Sequence, residues 1–108
     1  MTVIPIGELS HRLRLERPVR TPEAGGAVVT WVLVAELWGA IRPTGGGEVA
    51  AGDRLEERAA SEIWVRYRDG VTAAMRFVLG RRVFDIRAVI ESGERKRYLR
   101  CLVEERKP

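Results

Sequence analysis

Few residues in this 108-residue chain carry nucleophilic, acid–base or metal-binding chemistry. There is one histidine, His11, and one cysteine, Cys101. A zinc site would have to take nearly all its ligands from carboxylates, which is not the usual donor set of that metal. Ser10, Ser61 and Ser92 have no histidine at a hydrolase spacing. Gly45, Gly46 and Gly47 are not followed by Gly-Lys-Ser/Thr, and Arg54 and Arg58 come too late for a phosphate loop. The adjacent carboxylates Glu56 with Glu57 and Glu104 with Glu105 point apart on either a strand or a helix, so they read as solvated. His11 reads as a surface or strand-edge residue. Cys101, in YLRCLVEE, reads as a small core residue. The expectation is no catalytic residue, no metal and no cofactor, and a binding or structural role in place of an enzyme.

Binding chemistry is better represented. The net charge is +4, and lysine occurs only at Lys96 and Lys107, so 17 of the 19 basic residues (19 − 2) are arginine. Arginine makes bidentate contacts with carboxylate and phosphate and is enriched at interfaces. A GC-rich coding bias gives the same composition without any function. Three tryptophans, Trp31, Trp38 and Trp64, are many for one small domain. Core burial is the first reading of each. Trp64 is singled out because IWVRYR places it opposite Ile63 and Val65, on the side of Arg66 and Arg68. An outward tryptophan among arginines has the composition of a contact surface.

These residues must be held by strands. HRLRLERP alternates Leu13 and Leu15 with Arg12, Arg14 and Glu16, which predicts a half-buried strand closed by Pro18. Pro22, Gly25 and Gly26 mark a turn. AVVTWVLVAELWGAIRP has two apolar faces, one of Val29, Trp31, Leu33, Ala35 and Leu37, the other of Val28, Thr30, Val32 and Val34. Such a strand is buried on both sides or meets a partner on one, and its length predicts a bulge or bend near Ala35. Thr44 to Ala60 holds the one helix candidate, but Gly52 interrupts it and its apolar stripe of Val49, Leu55 and Ala59 is thin, so a mobile loop with a short helical piece is expected. Next come a strand with Ile63, Val65 and Tyr67 inward and a hairpin around Gly80 with Phe84, Ile86, Ala88 and Ile90 on one face. The last strand turns Leu99, Cys101 and Val103 inward. The expected fold is mainly β: one domain over residues 1–108, a small antiparallel β-barrel or sandwich of about six strands, with an inserted flexible loop at about 44–60. The opening MTVIPIGELSHRLRLERP has no apolar h-region. The run GAVVTWVLVAELWGAI is too short and polar to span a bilayer, so no membrane association is expected. The single cysteine fits a reducing compartment.

In this order and spacing the elements resemble the head–tail joining proteins of tailed phages, also called head-completion or stopper proteins. The resemblance covers nearly the whole chain. It rests on IGELSHRLRLERP, on GGAVVTWVLVAELWGAIRPTGGGE with Trp31, Trp38, Pro43 and Glu48, on IWVRYRDGVTAAMRFVLGRRVFDIRAV with Arg66 to Gly70, Arg76 and Phe84-Asp85-Ile86, and on RYLRCLVEE. No single piece is specific; the series is.

The resemblance implies a structural virion component at the head–tail interface, made in the bacterial host cytoplasm. It implies a small β-barrel that assembles as a ring, commonly sixfold, from subunits that are monomers until they meet their template. The ring would lie below the portal and its adaptor, close the DNA exit channel after packaging, and offer the surface on which the tail and its terminator dock. A loop between two strands would reach the lumen. Gly45, Gly46, Gly47, Glu48, Arg54 and Arg58 fall in that loop's place, where glycines free the path of the chain and arginines meet phosphates without sequence preference. Packing of the loop on the neighbouring subunit is the competing reading. Trp64, Arg66 and Arg68 would meet a neighbouring subunit or the adaptor. A phage, a prophage or a gene transfer agent would each carry such a chain. Two other readings remain: a tail-side connector such as a tail-terminator ring, and a free-standing nucleic-acid-binding small barrel, for which IWVRYR alone supplies interleaved aromatic and basic residues.

Overall fold

The alternation of Leu13 and Leu15 with Arg12 and Arg14 places both leucines inside and both arginines in solvent on the first strand, β1 (His11–Glu23). The computed structural model describes the backbone of residues 8–51 and 54–106, and side chains over 8–44 and 59–106. The strands that follow are β2 (Gly26–Ala51), β3 (Arg54–Arg66), β4 (Arg76–Leu79), β5 (Arg82–Ser92) and β6 (Tyr98–Arg106), with a 3-10 turn at Glu94–Lys96 before the last. All neighbours are antiparallel, and the sheet closes as a barrel in the order β1-β2-β3-β6-β5-β4. Closure rests on the pairs Arg14↔Val78, Leu15↔Phe77 and Glu16↔Arg76 between β1 and β4. The mainly β, six-stranded architecture is the expected one.

The barrel interior holds Leu13, Leu15, Ile63, Val65, Phe77, Phe84, Ile86, Leu99, Cys101 and Val103. Burying each of the larger of these contributes about 1.5–3 kcal/mol relative to exposure. The inward assignments of Ile63, Val65, Leu99, Cys101 and Val103 hold, as does the hairpin at Gly80, whose φ of 62° lies in the region glycine tolerates.

Three bulges shape the sheet. Leu15 pairs with Ala35 and Glu16 with Leu33, so Val34 is the extra residue, beside the expected bend. Pro43 pairs with Ser61 and Gly45 with Ala60, leaving Thr44 extra. Ile86 pairs with Val103 and Ala88 with Leu102, leaving Arg87 extra. That last bulge corrects an expectation. It shifts the period-two phase of β5, so Val89 packs against the core where Ala88 and Ile90 were expected.

Three further expectations are corrected. β1 does not close at Pro18 but continues through Pro22 to Glu23, paired with β2. Past Glu16 its other edge has no strand partner among the described residues, and an unpaired edge tolerates residues without an N–H. Tyr67 does not face inward: it lies beyond the end of β3, exposed, and its hydroxyl donates to Asp69 Oδ1 at 2.7 Å. This bond, before any other cause, raises the Tyr67 pKa above its ordinary value. Finally, residues 44–51 and 54–60 are strand where a loop with a short helical piece was expected. β2 runs on to Ala51 and β3 begins at Arg54, in register from Gly45↔Ala60 to Ala51↔Arg54. Helix propensity is a weak prior. A ladder already running between β2 and β3 satisfies the backbone groups of each added residue, whereas a helix with a thin apolar stripe has little to pack against.

Two hairpin arms therefore extend from the barrel: one of β1 and β2 around Ala24 and Gly25, and one of β2 and β3 beyond Pro43↔Ser61. The radius of gyration, 15.1 Å, exceeds the roughly 13 Å of a compact chain of this length.

Candidate contact surface

Register decides which tryptophan meets solvent. Gly39 pairs with Val65 and Ala40 with Trp64, and Val65 is inside, so Trp38, Ala40, Trp64 and Arg66 share the outer face. Trp64 is nevertheless only 5% exposed, because Leu9, Ala40 and Tyr98 pack over it. Its expected role as an exposed contact residue is thus corrected. The outward direction was right, but Leu9 and Tyr98, both remote from it in sequence, cover the ring. Trp38, on the same face, is 52% exposed.

Arg66 and Arg68 lie at the end of β3 and just beyond it. With Glu36, Leu37, Trp38 and Tyr67 they line a shallow, open groove. The Arg12 guanidinium carbon lies 5.5 Å from the centre of the Trp38 ring, and Arg12 Nη2 is 3.1 Å from Glu36 Oε2. The groove is a cationic and aromatic surface with its aromatic rings open to water, a composition that suits a protein interface. Sequence reasoning missed Trp38 and Tyr67. A usable signal lay in Gly39, a small residue inside the barrel whose neighbour Trp38 must point out.

Trp31 serves a different end. The Arg76 guanidinium lies 4.1 Å over its ring, and Arg76 Nε donates to Glu16 Oε1 at 2.8 Å. Glu16 is buried and charged, and Arg14 stands 3.6 Å from its other oxygen. These groups fasten the base of the first arm to the barrel.

Glu104 and Glu105, expected to be solvated, are held in ion pairs. Arg87 Nη2 reaches Glu104 at 3.2 Å, and Arg82 grips Glu105 with Nε at 2.7 Å and Nη2 at 3.0 Å. Arg106 holds Asp85 in the same bidentate way, at 2.6 and 2.9 Å. The hydrogen bonds to Glu105 and to Asp85 raise the pKa of Arg82 and Arg106 respectively, more than their partial burial lowers it. His11 is exposed at the start of β1, as expected. Cys101 is buried in the core, and desolvation pushes its thiol up to about 12. Such a thiol is no nucleophile.

The backbone of the second arm places Gly45, Gly46 and Gly47 opposite Ala60, Ala59 and Arg58, Glu48 opposite Glu57, and Arg54 opposite Ala51. The side chains of Glu48, Arg54 and Arg58 lie outside the described residues. The contact groove borders one end of the β2–β3 ladder, which opens at Gly39↔Val65, and the arm forms its other end. From Trp38 to Ala51 the strand runs about 40 Å at the rise of an extended chain.

The family model of phage head completion proteins matches residues 4–106. The chain belongs to that family. Its members are structural proteins of the virion, and the head–tail joining resemblance read from the sequence is correct. Among solved structures, this head completion protein is similar to a chain in the virion of a native gene transfer agent particle. The two share 29% identity and a TM-score of 0.76, over 88% of this chain and 92% of that one. A protein of Shigella flexneri 2a, solved in solution, has the same fold, at 23% identity and a TM-score of 0.68 over 94% and 96% of the two chains. No curated protein matches the chain. Among the described residues no helix is long and apolar enough to cross a membrane.

Proposed function

We propose that this head completion protein acts as a stopper: a ring, sixfold in the finished particle, that sits below the portal and its adaptor, closes the DNA exit channel after packaging, and presents the docking surface for the tail. The observation that carries the reading is the second arm. From Gly45↔Ala60 to Ala51↔Arg54 it spans seven residues on each side, about 23 Å, and beyond Ala59↔Glu105 its backbone has no further strand partner among the described residues. An isolated two-stranded ribbon has little reason to form for its own stability. In a ring it would point to the lumen, where Arg54 and Arg58 meet phosphates and Glu48, Asp53, Glu56 and Glu57 keep that contact weak. A plug that later lets DNA pass needs weak contacts. The groove of Trp38, Tyr67, Arg66 and Arg68, at the other end of the ladder, would meet the adaptor or a neighbouring subunit.

The test is electron microscopy of particles from a strain lacking this chain, with DNA content assayed alongside. Tailless heads that packaged DNA and lost it are the expected result. Full, stable heads without tails would move the protein to the tail side of the joint. Normal particles would overturn the reading.

A further inference from the structure

The groove beside Trp38 holds two cations that the chain itself does not neutralise. Glu36 is taken by Arg12, and Asp69 accepts the Tyr67 hydroxyl. Arg66 and Arg68 have no carboxylate within ion-pair distance among the described residues. The acids are engaged elsewhere: every described carboxylate except Glu23, Asp69 and Glu94 is paired with an arginine or lysine of its own chain. The Tyr67 backbone N–H donates to the Arg97 carbonyl at 2.8 Å, which brings the turn of Glu94, Arg95, Lys96 and Arg97 alongside. Arg95 and Arg97 are also outside any ion pair among the described residues. Arg66 and Arg68 line the groove together, two residues apart, roughly 7 Å along an extended chain. That is the spacing of alternate side chains on a strand. Beside them stand two rings in solvent, Trp38 at 52% and Tyr67 at 44% exposure.

We propose that this groove takes an extended acidic segment of a different protein of the particle, with carboxylates on alternate residues meeting Arg66 and Arg68 and neighbouring apolar side chains covering Trp38 and Tyr67. The proposal rests on the groove being an assembly contact, as the proposed function has it. Charge complementarity selects the occupant. Arginine clusters recognise acidic motifs through charge-assisted, often bidentate bonds to carboxylates. A second copy of the chain brings carboxylates that are mostly held by its own basic side chains, and the acids of its second arm are directed to the lumen in the stopper reading. Duplex DNA brings an unbroken line of phosphates, which Glu36 and Asp69 at the groove disfavour, and its stacked bases leave the two rings uncovered. A peptide can set carboxylates where the arginines are and omit them where the acids are. Exposed ion pairs contribute little singly, so covering the aromatic rings supplies the rest of the contact.

The experiment places a photoreactive benzoylphenylalanine at position 67 of the full chain, in a strain that makes the particles, irradiates during assembly and maps the cross-linked peptide by mass spectrometry. The expected product joins this chain to another protein of the particle, at a segment with carboxylates two residues apart. A peptide of this chain, a peptide without acids, a DNA adduct or no product overturns the proposal. In parallel, Arg66→Glu with Arg68→Glu is expected to lower the yield of tailed particles about tenfold or more, with the thermal midpoint of the isolated chain unchanged, whereas Arg66→Lys with Arg68→Lys keeps most of the yield. A normal yield from the glutamate pair overturns the proposal. Changing the mapped acids of the partner to lysine should restore the glutamate pair, and a lack of recovery would equally overturn it. An acidic cross-link in a strain whose heads stay full when the chain is deleted would leave this docking standing and remove the stopper role. A self-cross-link in heads that leak when it is deleted would do the reverse.

Discussion

Arg76 and Glu16 are 60 residues apart in sequence and 2.8 Å apart in space, joined at the seam where β4 closes on β1. Their side chains are 17% and 10% exposed, and the arginine is also stacked on Trp31. Removing one partner strands the other charge in a dry site. Arg76→Ala is expected to lower stability by about 3 kcal/mol. The double change Glu16→Leu with Arg76→Met should recover most of that loss, because it removes both charges. Urea unfolding of the parent and these two variants is the check, and equal losses in the single and double variants would contradict the account.

Gly39 sits where β2 and β3 first pair, and a side chain there has no room. A Cβ would stand 2.7 Å from Leu13 Cδ1, 3.1 Å from the Trp64 carbonyl and 3.2 Å from Val65 Cγ1. Gly39→Ala is expected to destabilise the barrel by about 1–3 kcal/mol, read as a lower thermal midpoint. A variant as stable as the parent would show that Leu13 can move aside.

The two outer tryptophans should separate stability from assembly. Trp64→Ala opens a cavity under Leu9 and Tyr98 and is expected to cost about 3–5 kcal/mol. Trp38→Ala removes an exposed ring and should stay within about 0.5 kcal/mol of the parent, while reducing the fraction of particles that carry tails. Particles of normal composition with Trp38→Ala would remove the groove from the interface.

Cys101 predicts a pH dependence. Its thiol is pushed from 9.0 to about 12 by burial. The unfolded chain loses that proton above its ordinary value while the folded chain keeps it. Stability is therefore unaffected by this group at lower pH and falls by roughly 1.4 kcal/mol per pH unit once the unfolded value is passed. Cys101→Ala, although weakened by its cavity, should lack this part of the slope. Unfolding measured at several alkaline pH values for both chains decides it, and identical slopes would refute it.

The second arm can be shortened in register. Removing residues 47–58 and joining Gly46 to Ala59 through a two-residue turn leaves the barrel core intact. The expected outcome is a folded chain whose particles assemble and then leak DNA. Full DNA retention would show that the arm is no plug.

The barrel was legible because its inner faces obey a period of two: Leu13 with Leu15, Ile63 with Val65, and Leu99 with Cys101 and Val103 each announce their strand. The bulge at Arg87 was not legible, since one extra residue leaves the local pattern apolar while changing which side of it faces inward. The second arm was misread because residues 44–51 and 54–60 have weak preferences of their own and take strand form from the ladder they continue. Which tryptophan meets solvent beside Arg66 and Arg68 was not legible. Whether Trp64 or Trp38 is covered depends on Leu9 and Tyr98, brought over the sheet by tertiary structure alone.

β2 belongs to both arms. Its 26 residues run unbroken from the first arm, along the barrel wall and out to Ala51. It acts as a single lever, with Val34 and Thr44 as its joints. A turn imposed at one end would reach the other through continuous backbone, with no intervening loop to absorb it. On the proposed stopper reading, the seating of each subunit would then set the position of its second arm.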